Sequence, residues 1–289
     1  MGKEMRRLLV TLFIFSLCSG GYAASLTGTL KKISDTGVFT IGYRDDSKPF
    51  SYLDSSGKPI GYSIDLCRRI AAATRESLGL SKLDIKFVKV TAKNRFDAVE
   101  SGKVDIECGA TTITLSRQET VDFTLMTFVT GGSLLSKKSD PVTMTGDLDG
   151  KSVAALKDTT TIVALKEYLR ESLVDAEIVE VETGLEAMEL LESGKVQALA
   201  RDQVVLIGQV LKTVNPKDYV LSNDLFSFEP YGFMIRRNDS AFRLITSRSL
   251  AQLYRTEQYQ PLFNKWFGSV GVRPSPVLAA MYKIQSLPE

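Results

Sequence analysis

Histidine is absent from all 289 residues, cysteine occurs three times and tryptophan once. Without an imidazole there is no histidine-based nucleophilic triad and no histidine-ligated zinc, which removes most hydrolytic chemistry. The cysteines, Cys18, Cys67 and Cys108, are far from any C-x-x-C spacing. An excess of one charge is missing as well: 36 Lys and Arg stand against 34 Asp and Glu. That balance argues against nucleic acid, whose binding needs a basic field. No apolar run approaches the ~20 residues that a membrane-spanning helix requires.

What is present begins with a leader. Lys3, Arg6 and Arg7 precede the apolar run "LLVTLFIFSLC" (8–18), and small residues follow through "SGGYAAS". This layout predicts a secretory signal peptide over residues 1–23, cleaved after Ala23, with Gly21 and Ala23 as the small residues at −3 and −1. Lipid attachment at Cys18 is the lesser alternative, because Leu17 stands where a lipid-attachment motif needs a small residue. Losing Lys3, Arg6 and Arg7 together with Glu4 brings the formal charge of +2 to zero. The mature protein is expected to be exported and soluble. In an oxidising compartment Cys67 and Cys108 could form a disulfide, or remain two buried thiols; the spacing leaves both open.

Strand and helix patterns alternate from residue 36 onward. "VFTIGYR" (38–44) and "DIKFVKV" (84–90) predict strands around a helix over 63–79, with Ser63 as N-cap and Gly79 as stop. A short helix, "RFDAVES", then leads through Gly102 to the strand "VDIECGA". The order restarts with strands at 151–156, 177–181 and 196–202 and helices at 161–173 and 185–193. In each half a helix ends in "ESGKV", at residues 100–104 and 192–196, and a strand follows. The pentapeptide alone is a common helix ending; the matching order of elements around it carries the weight. The fold class is therefore α/β with two lobes, each a mainly parallel sheet flanked by helices. If the C-terminal helical stretch returns to the first lobe, two extended segments join the lobes and make a hinge with a ligand cleft. The expected boundaries are 24–131 for lobe one, completed by 230–289, and 132–229 for lobe two, with hinge segments near 127–135 and 226–233.

In open parallel sheets ligands lie beyond the carboxyl ends of the strands. Those ends carry Arg44, Arg95, the stretch Gly109–Arg117, the stretch Asp158–Thr161 at a helix start, and Asp202. Three arginines facing one aspartate suit a molecule with carboxylates and an ammonium. A guanidinium offers two parallel donors to a carboxylate and stays charged, while an aspartate is acceptor-only. Thr159, Thr160 and Thr161 add hydroxyls and helix-start amides. Arg201, beside Asp202, falls on the opposite strand face by period two and reads as structural. "TGDLDGKS" (145–152) fails as a phosphate loop because Thr145 replaces the required glycine. No cofactor or metal site is expected.

Four stretches, "TTITLSRQETVDFT" (111–124), "YRDDSKPFSY" (43–52), "GYSIDLCRRIA" (61–71) and "DLDGKSVAAL" (147–156), resemble the periplasmic polar amino-acid-binding proteins of ABC importers. The likeness spans essentially the whole mature chain. Through "T-x-x-NR" (91–95), "ECGATT" (107–112) and "YGFMIRR" (231–237) it is most similar to the glutamate/aspartate-binding members. The resemblance implies that Arg117 grips the ligand α-carboxylate, helped by Thr112 and the backbone of Gly109 and Ala110. It further implies that Asp202 takes the ammonium, that Thr159 and Thr160 close over the carboxylate, and that Arg44 and Arg95 bind the side-chain carboxylate. A monomer delivering its ligand to an inner-membrane ABC permease is implied too. Three positions depart from the pattern: Ala92 and Ala110 replace serines, and a histidine near Gly184 is missing. A neutral polar ligand such as glutamine is thus the alternative cargo. An enzyme on the same scaffold, of the dehydratase kind, would need an acid or base in the cleft, for which Glu107, Asp158 and Glu229 are the candidates.

Overall fold

Near-continuous apolar runs such as "VFTIGY" and "SVAAL" belong in strands covered on both faces. The amphipathic runs between them have one face to bury. In the computed structural model, which describes residues 26–268 and 271–289, these tendencies produce two α/β lobes. The expected leader, residues 1–23, lies outside the described residues.

The first lobe opens with α1 (Gly28–Thr36), β1 (Val38–Tyr43) and a small ribbon of β2 (Asp46–Ser47), β3 (Ser51–Leu53) and β4 (Pro59–Ile60). It continues with α2 (Tyr62–Ser77), β5 (Asp84–Lys89), α3 (Arg95–Glu100), β6 (Ile106–Glu107) and β7 (Val121–Phe123). After β8 (Phe128–Thr130) the second lobe runs through β9 (Gly132–Lys137), β10 (Ser152–Leu156), α4 (Thr160–Glu171), β11 (Glu177–Val181), α5 (Gly184–Glu192), β12 (Ala198–Asp202), α6 (Gln203–Val210) and β13 (Tyr219–Leu221). The chain returns along β14 (Glu229–Tyr231) to β15 (Met234–Arg236), and α7 (Ser240–Arg255), α8 (Tyr259–Phe267) and α9 (Pro276–Ile284) follow.

The two large sheets share one plan. Their strand orders are β5-β1-β6-β15-β7 and β11-β10-β12-β9-β13. In each, three parallel strands are followed by an antiparallel fourth, β15 or β9. Both copies of "ESGKV" end the helix before the central strand, and Gly102 and Gly194 take the left-handed backbone there, with φ of 72° and 74°. That conformation is cheap only for glycine, so the repeat marks two equivalent helix stops.

Between the sheets runs a separate antiparallel pair, β8 with β14. It is rooted in the first lobe by aromatic packing. Phe128 lies 4.9 Å from Phe50 and 5.0 Å from Phe267, and Tyr231 lies 5.2 Å from Phe50, measured between ring centres. Burying each such ring contributes roughly 2–3 kcal/mol, which fixes this pair to lobe one.

Two local expectations change. The 63–79 helix starts at Tyr62 with Gly61 as its N-cap, and Ser63 does not cap it. The Ser63 hydroxyl donates instead to the Gly109 carbonyl, 2.7 Å away. Cys67 and Cys108 are joined in a disulfide, with their Cα atoms 6.4 Å apart and both residues fully buried. The bond ties α2 to the end of β6, just before Gly109.

The disulfide closes a loop with a sequence separation of 41. Reduction, or replacement of both cysteines by alanine, is expected to lower stability by about 2–4 kcal/mol. For a chain of this size that is a fall in melting temperature of roughly 5–10 °C, readable by calorimetry with and without reductant.

Candidate ligand-binding cleft

The strand ends of the two sheets face each other and enclose a cavity. Lobe one supplies Arg44, Ser47, Arg95, Ala110, Thr112 and Arg117; lobe two supplies Leu156, Thr159, Thr160, Thr161, Arg201, Asp202 and Val205. Of the nine residues singled out from sequence, eight line this space. Gly109 stands behind Ala110, and its place has a packing reason: a Cβ there would lie 2.2 Å from Glu107 Oε1. Ala92 belongs to a neighbouring surface hollow with Phe96 and Asp158.

Arg95 is 3% exposed and begins α3. Its Nη1 donates to Thr111 Oγ1 at 2.8 Å, and its Nη2 crosses to lobe two to the Asp158 carbonyl at 3.5 Å. Asp158 has a left-handed φ of 56°, which turns the chain ahead of α4. Arg95 Nε is buried without a partner. Arg117 donates through Nη1 to the Thr112 carbonyl at 2.8 Å. Among the described residues neither arginine forms an ion pair with a carboxylate. Burial, and secondarily the charge of Arg117, pull the Arg95 guanidinium down to about 9, and burial lowers Arg117 as well. Both guanidiniums rest against the Phe96 ring, 5.4 and 5.5 Å from its centre. Sequence reading missed Phe96, although an aromatic directly after a buried arginine at a helix start was the signal for it.

Asp202 ends β12 and is 8% exposed. Its Oδ1 accepts from Thr161 Oγ1 at 2.8 Å, and its Oδ2 accepts a short hydrogen bond from the Tyr231 hydroxyl. Burial pushes its carboxyl up to about 6, the charge of Glu229 adds to the rise, and the bonds from Tyr231 and Thr161 oppose it. Glu229, 1% exposed on the strand between the lobes, gathers donors from both sides. Its Oε2 accepts from Thr112 Oγ1 and, at 2.7 Å, from Thr160 Oγ1, while its Oε1 accepts from Ser227 Oγ at 2.7 Å. The Thr160 and Thr112 hydroxyl oxygens lie 3.1 Å apart. One carboxylate thus joins lobe one, lobe two and the strand between them.

Arg201 corrects the period-two reading. Its guanidinium faces the cleft and reaches lobe one, donating to Asp46 Oδ2 at 3.1 Å and to the Asp46 carbonyl at 3.3 Å. Arg44 Nη2 holds Asp46 Oδ1 at 3.0 Å. Burial raises the Asp46 carboxyl, but Arg201 and then Arg44 outweigh it and hold the group well below the usual carboxylate range. Three side chains from the "RDD" turn and β12 therefore form one cluster, with both arginines buried and Asp46 half-buried.

None of the three carboxylates weighed for catalysis lines the cavity. Glu107 is fully buried beneath Gly109 and accepts from Thr111 Oγ1 at 2.8 Å. Asp158 borders the outer hollow, and Glu229 borders a groove on the far side of Thr112 and Thr160. Among the described residues no group of three or more His, Cys, Asp or Glu could hold a metal ion, and no helix is long and apolar enough to cross a membrane.

Two α/β lobes, a strand pair between them and a polar cavity at their facing strand ends define a periplasmic-binding-protein fold. The chain belongs to the bacterial extracellular solute-binding proteins, family 3, whose family model matches residues 39–269. It is 38% identical to an L-glutamate/L-aspartate-binding protein of Pseudomonas aeruginosa, over 90% of this chain and 87% of that one. It is 32% identical to a glutamate/aspartate import solute-binding protein of Salmonella typhimurium, over 91% and 89%. Among solved structures it resembles an ancestral amino acid-binding protein, AncCDT-1, described as a precursor of cyclohexadienyl dehydratase. That match has 30% identity and a TM-score of 0.71, covering 83% of this chain and 100% of the other. An ancestral arginine-binding protein bound to arginine matches with 27% identity and a TM-score of 0.72, covering 80% and 99%.

The raised Asp202 carboxyl has a definite sign. Between its ordinary value and about 6 the folded protein holds this proton more tightly than the unfolded chain does. The contribution favours the folded state at low pH and is lost as pH rises through about 6. Glu229→Gln removes the second cause of the rise and is expected to lower the Asp202 titration midpoint, followed by carboxyl carbon NMR. An unchanged midpoint would assign the whole shift to burial.

Proposed function

We propose that this protein captures an acidic amino acid, glutamate or aspartate, between its lobes and delivers it to an ABC permease in the inner membrane. The observation that carries this reading is the pair of buried guanidiniums, Arg95 and Arg117, which meet only neutral partners in the cleft. Buried cations without a carboxylate are costly, and a ligand bearing two carboxylates offsets that cost. The names of the Pseudomonas and Salmonella relatives agree with such a ligand.

On this reading Arg117 binds the α-carboxylate against Thr112, and Thr159 and Thr160 at the start of α4 cover it from lobe two. Asp202 receives the ammonium. Arg95, with Arg44 beside it, meets the side-chain carboxylate, and Ala110 shapes the shelf under the head group. Closure is stabilised only by what the ligand adds in the closed state. The pair β8–β14 is the hinge, with the lobes dividing near residues 131 and 230. Capture without chemistry is supported by the names of the relatives, which describe binding and import. Export through a cleaved leader to the periplasm, and action as a monomer, complete the proposal.

Calorimetric titration of the ligand-stripped protein with the twenty amino acids tests it. Glutamate or aspartate is expected to bind tightest, and Arg117→Ala to cost about 3 kcal/mol, roughly a hundredfold in affinity. Arg95→Ala should weaken acidic ligands more than glutamine. Binding of no amino acid by the unmodified protein would overturn the reading.

The ammonium needs Asp202 ionised, so affinity is expected to be flat above about pH 6. Below that, the free protein holds a proton on Asp202 that binding must release, and affinity falls about tenfold per pH unit. Asp202→Asn should bind weakly at every pH and lose this dependence. A wild-type affinity unchanged down to pH 4.5 would remove Asp202 from the ammonium site.

A further inference from the structure

Gly184 opens α5 with no side chain, and its neighbours use the room. A Cβ at this position would lie 2.3 Å from Arg201 Nη1 and 2.7 Å from Gln209 Nε2. Arg201 thus occupies volume that any larger residue at 184 would claim. From there it spans the cleft to Asp46, which Arg44 holds from the other side. The side chains of Arg44 and Arg201 are 7% and 9% exposed, so the bridge is largely shielded from water.

The bridge has a different space on each side. Towards the hinge lies the cavity with Arg95, Arg117 and Asp202, which Arg44 and Arg201 also line. Beyond it lies a groove of about 470 Å³ between the lobes, whose walls include Arg44, Asp46, Gly184 and Gln209, with Leu185 and Met188. Arg44 borders both spaces. Arg201 lines the inner space and Asp46 the outer one, so their contact lies where the two meet.

We propose that Arg201 is a specificity-determining residue: with Asp46 and Arg44 it forms a charged wall that ends the amino-acid site and refuses side chains longer than that of the preferred acid. The inference rests on the amino-acid capture reading. A longer ligand has to part Arg201 from Asp46 and leave a carboxylate that is only 20% exposed with Arg44 alone, an unfavourable step. A ligand that stops short of the wall leaves the bridge intact. The charge of the wall matters as much as its position. Asp46 cancels one of the two arginines, so the wall presents one net positive charge to the ligand's far end.

The test is calorimetry on purified, ligand-stripped protein with aspartate, glutamate and 2-aminoadipate, which share head group and end group and lengthen by one methylene at each step. The wild type is expected to bind 2-aminoadipate about 10–200-fold more weakly than the better of the other two. The double variant Asp46→Ala/Arg201→Ala removes one charge of each sign, leaving the net charge of the cleft unchanged. It should raise the affinity for 2-aminoadipate relative to glutamate by about tenfold or more. Gly184→Ala retains every charge and displaces Arg201 from its seat; it should shift the ratio in the same direction by a smaller factor. It also stands as the test should the double variant fail to fold, as judged by circular dichroism. Folded variants with an unchanged ratio, or a wild type that takes 2-aminoadipate as well as glutamate, would overturn the wall and leave the capture reading standing. A wild type that binds none of the three but binds another amino acid overturns the wall and corrects the cargo. A wild type that binds no amino acid at all overturns both.

Discussion

Mutual repulsion among four guanidiniums is the constraint on which the rest of the cleft depends. Arg44, Arg95, Arg117 and Arg201 line one shielded cavity, where water screens like charges far less than at the surface. The chain resolves the conflict unequally. Arg44 and Arg201 share Asp46, while Arg95 and Arg117 make do with a hydroxyl, two carbonyl oxygens and the face of Phe96. On the capture reading, the pair with neutral partners is where the ligand's anions belong, and the pair with a carboxylate is the proposed end of the site. Carboxylates outside the cavity, Glu107 and Glu229 among them, temper the field without entering the ligand's space.

Glu229 gives the same electrostatics a mechanical role. It sits on a strand anchored in lobe one by its neighbour Tyr231, yet one of its oxygens takes hydroxyls from Thr112 of lobe one and Thr160 of lobe two. Its charge also adds, after burial, to the upward shift of the Asp202 carboxyl. The contact between the lobes and the proton of Asp202 are therefore joined through one buried side chain.

Much of this was legible from residue order. β-branched runs and glycine stops placed the strands and helices that were read to within two or three residues, though not α1, β9, α6 or β13, and strand ends pointed to Arg44, Arg95, Arg117 and Asp202. That logic depends only on local pattern and on where parallel strands deliver their termini. Arg201 escaped it because period two describes where a Cβ points, whereas a side chain of that length can turn at the last residues of a strand. The clue lay elsewhere in the chain, in the glycine at 184 that leaves it room. The Cys67–Cys108 bond was undecidable for a related reason: whether two cysteines meet depends on how α2 packs on β6, which no spacing encodes. Ser63 was read as a helix cap from its position, but tertiary structure offered it the Gly109 carbonyl instead.

The paired strands β8 and β14 also bear on how the chain acquires its shape. Every strand of the second sheet lies within one continuous stretch, from Gly132 to Leu221. In the first sheet β15 lies between β6 and β7, and β15 arrives more than a hundred residues after either. The lobe encoded in the middle can assemble as soon as its own residues are present, while the lobe encoded first must wait with an open seam for the return of the chain. Long-range pairing of this kind is slow and leaves strand edges unpaired meanwhile. If the chain is exported as proposed, that delay is an asset: the sheet of the earlier lobe stays incomplete until the later segment has passed through.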